Sequence, residues 1–136
     1  MTDQPPSHLD QLTPGAALLG RELLGFDADG KTALIRFQAR PDFANRHGTV
    51  LGGFLAAMLD SATGLALLAG LPPDLTAVTT HLDTEFVKPA PIGMLLAKAR
   101  VASRQDRDAV VEAEIFDPEG NVVARATAKL RIVRRK

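Results

Sequence analysis

The chain has no cysteine, no tryptophan and no tyrosine, and its only aromatics are six phenylalanines. Without cysteine there can be no disulfide, thiolate metal site or cysteine nucleophile, which fits a reducing compartment. So few aromatics leave no stacking platform for single-stranded nucleic acid. An excess of one charge is also missing, because 16 Lys and Arg balance 16 Asp and Glu. No basic field therefore points to nucleic acid. The first residues, MTDQPPSHLDQ, lack the basic and apolar regions of a secretory signal. Several catalytic signatures are absent as well: G-x-S-x-G, the P-loop, G-x-G-x-x-G and H-E-x-x-H. His8, His47 and His81 are scattered without metal-ligand spacing. His8 and His81 read as surface or sheet residues, and His47 as equally open to structure or function. What remains is metal-free acid–base chemistry or plain binding, without a cofactor, in a soluble cytoplasmic protein.

At 136 residues the chain accommodates one domain with a real core. Residues 1–14 read as an N-terminal tail and a short helix, capped by Ser7 and closed before Pro14. Residues 15–136 read as a single domain. Ala16–Phe26 and Lys31–Gln38 are β-like runs separated by Asp27-Ala28-Asp29-Gly30, a hairpin signal. Pro41–Ala44 is a turn, and Pro72-Pro73-Asp74 stops whatever precedes it. Four strand candidates follow, Ala77–Val87, Met94–Ser103, Ala109–Phe116 and Val122–Val133, divided by turn sequences. The expected layout is α+β, a six-stranded antiparallel meander wrapped around one long helix.

That helix falls in Asn45–Leu71, where a Gly-rich turn leads into a nearly uncharged run with Asp60 in the middle. At helical spacing the neighbours of Asp60 are mostly small: Gly53, Ala56, Ala57, Thr63 and Gly64. The other faces are bulky and apolar, so the helix is expected to be covered nearly all round. Three readings compete. A membrane span meets the length requirement, but a central Asp is penalised by roughly 2.5–3.5 kcal/mol. A core helix with a structural Asp is the plain reading, and a core helix carrying a site acid is the sharper one.

The motif Asn45-x-x-Gly48-Thr49-x-x-Gly52-Gly53, with Asp60 eight residues after Gly52, resembles the signature of the PaaI-type hotdog-fold thioesterases. The segment Val78–Ala90, ending in Lys88-Pro89-Ala90, is similar to that family's third strand and its R/K-P-A turn. The resemblance spans roughly residues 15–133. It implies a hotdog fold and hydrolysis of a small aryl or medium-chain acyl-CoA. Asp60 would be general base or nucleophile, while the Gly52 N–H and the Asn45 amide would polarise the carbonyl and Thr79 would hold water. Gly53, His47, Thr49 and Leu51 would line the substrate side. The family's site forms between two subunits, so a homodimer or homotetramer is implied. Arg100, Arg104, Arg107 and the tail Arg131, Arg134, Arg135 and Lys136 could meet the coenzyme A phosphates or be ordinary solvated charges. One departure stands out: the family's His-Gly-Gly is here Leu51-Gly52-Gly53. It keeps a non-catalytic acyl-CoA-binding protein open as an alternative. A hotdog dehydratase or hydratase is the other, although no His lies at helix spacing from Asp60.

Overall fold

A computed structural model describes residues 12–136. The expected tail and Ser7-capped helix lie outside the described residues except for Leu12, which is in neither helix nor strand. Where a strand was expected from Ala16, the chain forms a short helix, α1 (Pro14–Leu18). The Thr13 Oγ1 accepts the Ala16 N–H at 3.3 Å, and Pro14 occupies the first turn, where its missing N–H costs nothing. Pro14 thus opens a helix instead of closing one. Gly20 ends the turn with φ +63°, and a Cβ there would lie 2.7 Å from that of Gln38. Only then does β1 (Glu22–Phe26) begin, pairing antiparallel with β2 (Ala33–Ala39) across the expected hairpin.

A single 3₁₀ turn (Pro41–Phe43) leads to α2 (Gly52–Ala69). The strands β3 (Leu75–Phe86), β4 (Gly93–Gln105), β5 (Asp108–Phe116) and β6 (Val122–Arg134) follow. All six strands form one antiparallel sheet in the order β1-β2-β4-β5-β6-β3. The expected meander therefore holds for β4–β5–β6 but not for β3, which pairs with β6 at the far edge. Residues 87–92 return the chain to the middle of the sheet. This segment carries Pro89 and Pro91 and no two-residue turn, so it cannot fold β4 back against β3.

The sheet curls around α2, whose Met58, Leu59 and Ala62 are wholly buried against Ile35, Phe37, Leu95, Val111 and Ile115. The helix is long and apolar enough to cross a membrane, but this packing makes it the core helix of the domain. Its cover is incomplete. Gly53, Ala57 and Asp60 are exposed and Gly64 is half-buried, so the expectation of a nearly enclosed helix with a buried carboxylate is corrected for the single chain. The residues at those positions are too small to reach the sheet or to shield one another. They form an open strip along the helix.

Candidate active site

The loop before α2 is organised by the Asn45 side chain. Its Oδ1 accepts the N–H groups of His47 at 2.9 Å and Thr49 at 3.2 Å, and its Nδ2 lies 3.0 Å from Thr49 Oγ1. Gly48, at φ +79°, makes the turn possible by donating to Asn45 O at 3.1 Å. Two further bonds fix where the helix starts: Val50 N–H to Ala90 O at 3.0 Å, and Leu51 N–H to Phe43 O at 2.9 Å. The return segment after β3 therefore sets the position of the helix N-terminus.

Leu51 occupies the N-cap with no side-chain cap, and its own side chain points outward, 48% exposed. Its carbonyl accepts from Phe54 and Leu55. The N–H groups of Gly52 and Gly53 find no acceptor among the described residues. Two unpartnered donors at the positive end of an 18-residue helix suit an oxygen that gains negative charge. They open beside a cleft of about 470 Å³ lined by Asn45, His47, Thr49, Gly52, Leu55 and Phe86. The Phe86 ring lies against Gly52, so that a Cβ there would sit 3.2 Å from it.

Asp60 belongs to a second group. Its Oδ1 accepts the Thr79 Oγ1 hydroxyl at 2.7 Å, and the carboxylate is exposed. Thr79 reaches it because of a bulge. In the β3–β6 ladder Thr79 pairs with Leu130 and His81 with Lys129, leaving Thr80 out of register. Thr79 and Leu82 therefore both face the helix, although they are separated by an odd number of residues. His81 turns to the outer surface, far from the carboxylate's face of the strand.

Asn45, His47, Thr49 and Gly52 are thus brought together at one end of α2, and Asp60 and Thr79 further along it. Eight residues at 1.5 Å rise separate the two groups by about 12 Å within one chain. A small group held at the Gly52 N–H lies beyond the reach of the same chain's Asp60. A third pair was not foreseen from the sequence: Arg21 Nη1 donates to Ser61 Oγ at 3.0 Å, on the other flank of Asp60's strip. The charged pair Arg21-Glu22 interrupting the apolar run Ala16–Gly25 was the signal available for it. Of the arginines considered for phosphates, Arg104, Arg107 and Arg134 surround one small pocket of about 210 Å³ with Asp106 among them.

Comparison with known proteins shows the family to which the chain belongs. The model of a family described as the thioesterase superfamily matches residues 47–124. The crystal structure of a candidate thioesterase, a phenylacetic acid degradation-related protein from Ralstonia eutropha JMP134, is similar at 31% identity and a TM-score of 0.84. That likeness covers 91% of this chain and 96% of that one. A Bacillus halodurans protein crystallised with CoA is 28% identical, with a TM-score of 0.79 over 93% of this chain and 80% of its own. A candidate esterase of Mycobacterium tuberculosis is 28% identical over 129 residues, which is 93% of this chain and 91% of that protein.

Proposed function

This chain is a member of the thioesterase superfamily, with the hotdog fold and the thioester hydrolase activity of that family, and from that premise we propose that it hydrolyses small aryl- or medium-chain acyl-CoA at a site shared by two copies of the chain. The observation that carries the reading is the separation of two complementary half-sites on one helix. Gly52 and Gly53 offer unpartnered N–H groups at the helix start, and Asp60 offers a carboxylate about 12 Å further on. Two antiparallel helices bring the first half-site of one chain to the second half-site of the other.

In this reading the Gly52 N–H, with Gly53 beside it, receives the thioester oxygen as it becomes an oxyanion. The free Oδ2 of the partner's Asp60 takes a proton from water as the water oxygen attacks the carbonyl carbon. Collapse breaks the C–S bond, and the thiolate leaves with that proton. Direct attack by the carboxylate would instead give a mixed anhydride that water hydrolyses. Thr79 donates to Oδ1 and so aims the other oxygen. Asn45 acts first by tying the loop that presents Gly52, and one hydrogen of its amide is left for the substrate. His47 and Thr49 line the cleft on the substrate side. Water is the only co-reactant, and no cofactor is needed. The CoA bound by the Bacillus relative supports the thiol carrier assigned here. A homodimer is the smallest unit that works, a homotetramer is two such units, and the cytoplasm supplies acyl-CoA.

The exposed Leu51 favours one rival, a protein that binds acyl-CoA without cleaving it. Asp60→Asn separates the two. It keeps size and the Thr79 contact but loses basicity, so kcat should fall at least about 100-fold with acyl-CoA still bound. Because the one side-chain hydrogen bond that Asp60 makes is an accepting one that the Asn oxygen keeps, the melting temperature should hold. An unchanged kcat would end the catalytic assignment, and a wild-type chain that binds acyl-CoA without releasing thiol would establish the rival.

A further inference from the structure

Arg21 is the charged side chain beside the strip that this chemistry leaves unused. It stands just before β1, half-buried, with Ser61 Oγ as its hydrogen-bond partner. Burial lowers its pKa, which marks a guanidinium stripped of part of its water. Among the described residues no carboxylate lies within ion-pair distance of it. A guanidinium carries five donors, and a neutral hydroxyl answers one of them. Removing a cation from water without a counter-charge costs stability, and the cost is recovered when an anion arrives.

Its placement says which anion. Each residue turns an α-helix by about 100°, so Ser61 sits about 100° round from Asp60, with Ala57 and Gly64 at about 60° and 40° between them. The Thr79–Asp60 pair thus lies to one side of this strip of the helix surface and the Arg21–Ser61 pair to the other. Between them lie two small residues, and apart from the helix's own backbone and the neighbours of Gly64 in the chain, no heavy atom lies within 4 Å of where a Cβ on Gly64 would be. On this placement an acyl group with its carbonyl carbon at Asp60 would run over those small residues toward Arg21. A second copy of α2 brings no other acid, because Asp60 is the only charged residue from Gly52 to Ala69.

We propose that Arg21 is a specificity-determining residue that selects acyl groups ending in a carboxylate, the monothioesters of dicarboxylic acids, over neutral acyl groups of equal length. This rests on thioester hydrolysis at Asp60. A fork of guanidinium N–H groups matches a carboxylate in a bidentate pair, which a methyl terminus cannot make.

The test compares kcat/KM for succinyl-, adipoyl- and suberoyl-CoA with butyryl-, hexanoyl- and octanoyl-CoA. Wild-type protein should favour the dicarboxylic member at the best-fitting length by at least about tenfold, a difference of about 1.4 kcal/mol. Arg21→Met should bring that ratio to one or below. Arg21→Lys should keep part of it, since the charge remains and the fork is lost. If Arg21→Met does not fold, Arg21→Gln, which keeps a donor for Ser61 without the charge, must lose the ratio in the same way. A wild-type ratio near one at every length, or a ratio that survives Arg21→Met or Arg21→Gln, overturns the proposal while leaving thioester hydrolysis intact. If no thioester is cleaved at all, the hydrolase reading falls and this inference falls with it.

Discussion

Gly52 contributes through its backbone, so its test must remove the N–H and keep the helix. Gly52→Pro does this. Proline suits the first position of a helix, where its N–H is not part of the helical ladder. Leu51 already holds φ −59° and ψ 134°, the extended conformation required before proline. The ring atoms of Phe86 facing the new side chain lie at the exposed end of a flexible residue, 54% exposed. The variant should fold with unchanged far-UV circular dichroism and lose about 10²–10³ in kcat, the usual effect of deleting one oxyanion donor. Wild-type turnover in a folded Gly52→Pro protein would place the carbonyl elsewhere. At this scale the sequence singles out residues where a local pattern marks them. Asp60 stood out as a lone charge in an apolar run, and Gly52 as part of a spaced motif. It was less informative about Asn45, whose amide spends most of its hydrogen bonds on His47 and Thr49. Arg21 and Phe86 were missed because each gains its meaning from a residue far away in the chain, Ser61 and Gly52 respectively.

Elements were legible where periodicity and turn residues agree. The boundaries of β4, β5 and β6 fall within two residues of those read from alternation and from the Asp117–Asn121 turn. Two features were not legible. The α1 turn depends on a Thr13 cap that outweighs the apolar β-like run behind it. The place of β3 at the sheet edge is a long-range pairing choice, which adjacency in sequence does not encode. The β1–β2 hairpin was read correctly, and its turn carries a pH signature. Asp29 accepts the N–H groups of Thr32 and Lys31 and the Thr32 hydroxyl, and its pKa is lowered to about 2. The backbone bond from Thr32 is the largest cause. A depressed folded-state pKa stabilises the native state above the unfolded value of 3.8, and that contribution is lost as pH falls toward about 2. Asp29→Asn keeps an acceptor oxygen but cannot titrate. The melting-temperature gap between wild type and Asp29→Asn should therefore be widest above pH about 5 and close as pH approaches 2. A gap that stays constant over that range would mean that the turn's hydrogen bonds do not depend on the charge.

At the scale of the whole molecule, the strip Gly53–Ala57–Asp60 and the edge strand β3 are both open in a single chain. Unpaired sheet edges and exposed apolar strips are surfaces that proteins cover, and the proposed two-fold pair of chains would join the strand edges and face the two strips across the shared site. The same proposed pairing would give each Gly52 a partner Asp60. The central claim is thus that every site takes its carbonyl-binding loop from one chain and its carboxylate from another. Mixing Gly52→Pro and Asp60→Asn proteins, after exchange of subunits under mild denaturation, tests it directly. In a mixed dimer one site pairs an intact Gly52 with an intact Asp60, and the other carries both defects. With random exchange half of the dimers are mixed, so acyl-CoA hydrolysis should recover to about a quarter of the wild-type rate, although neither variant is active alone. A mixture that stays as inactive as its components, with exchange verified by mass, would contradict the shared site and return all of the chemistry to a single chain.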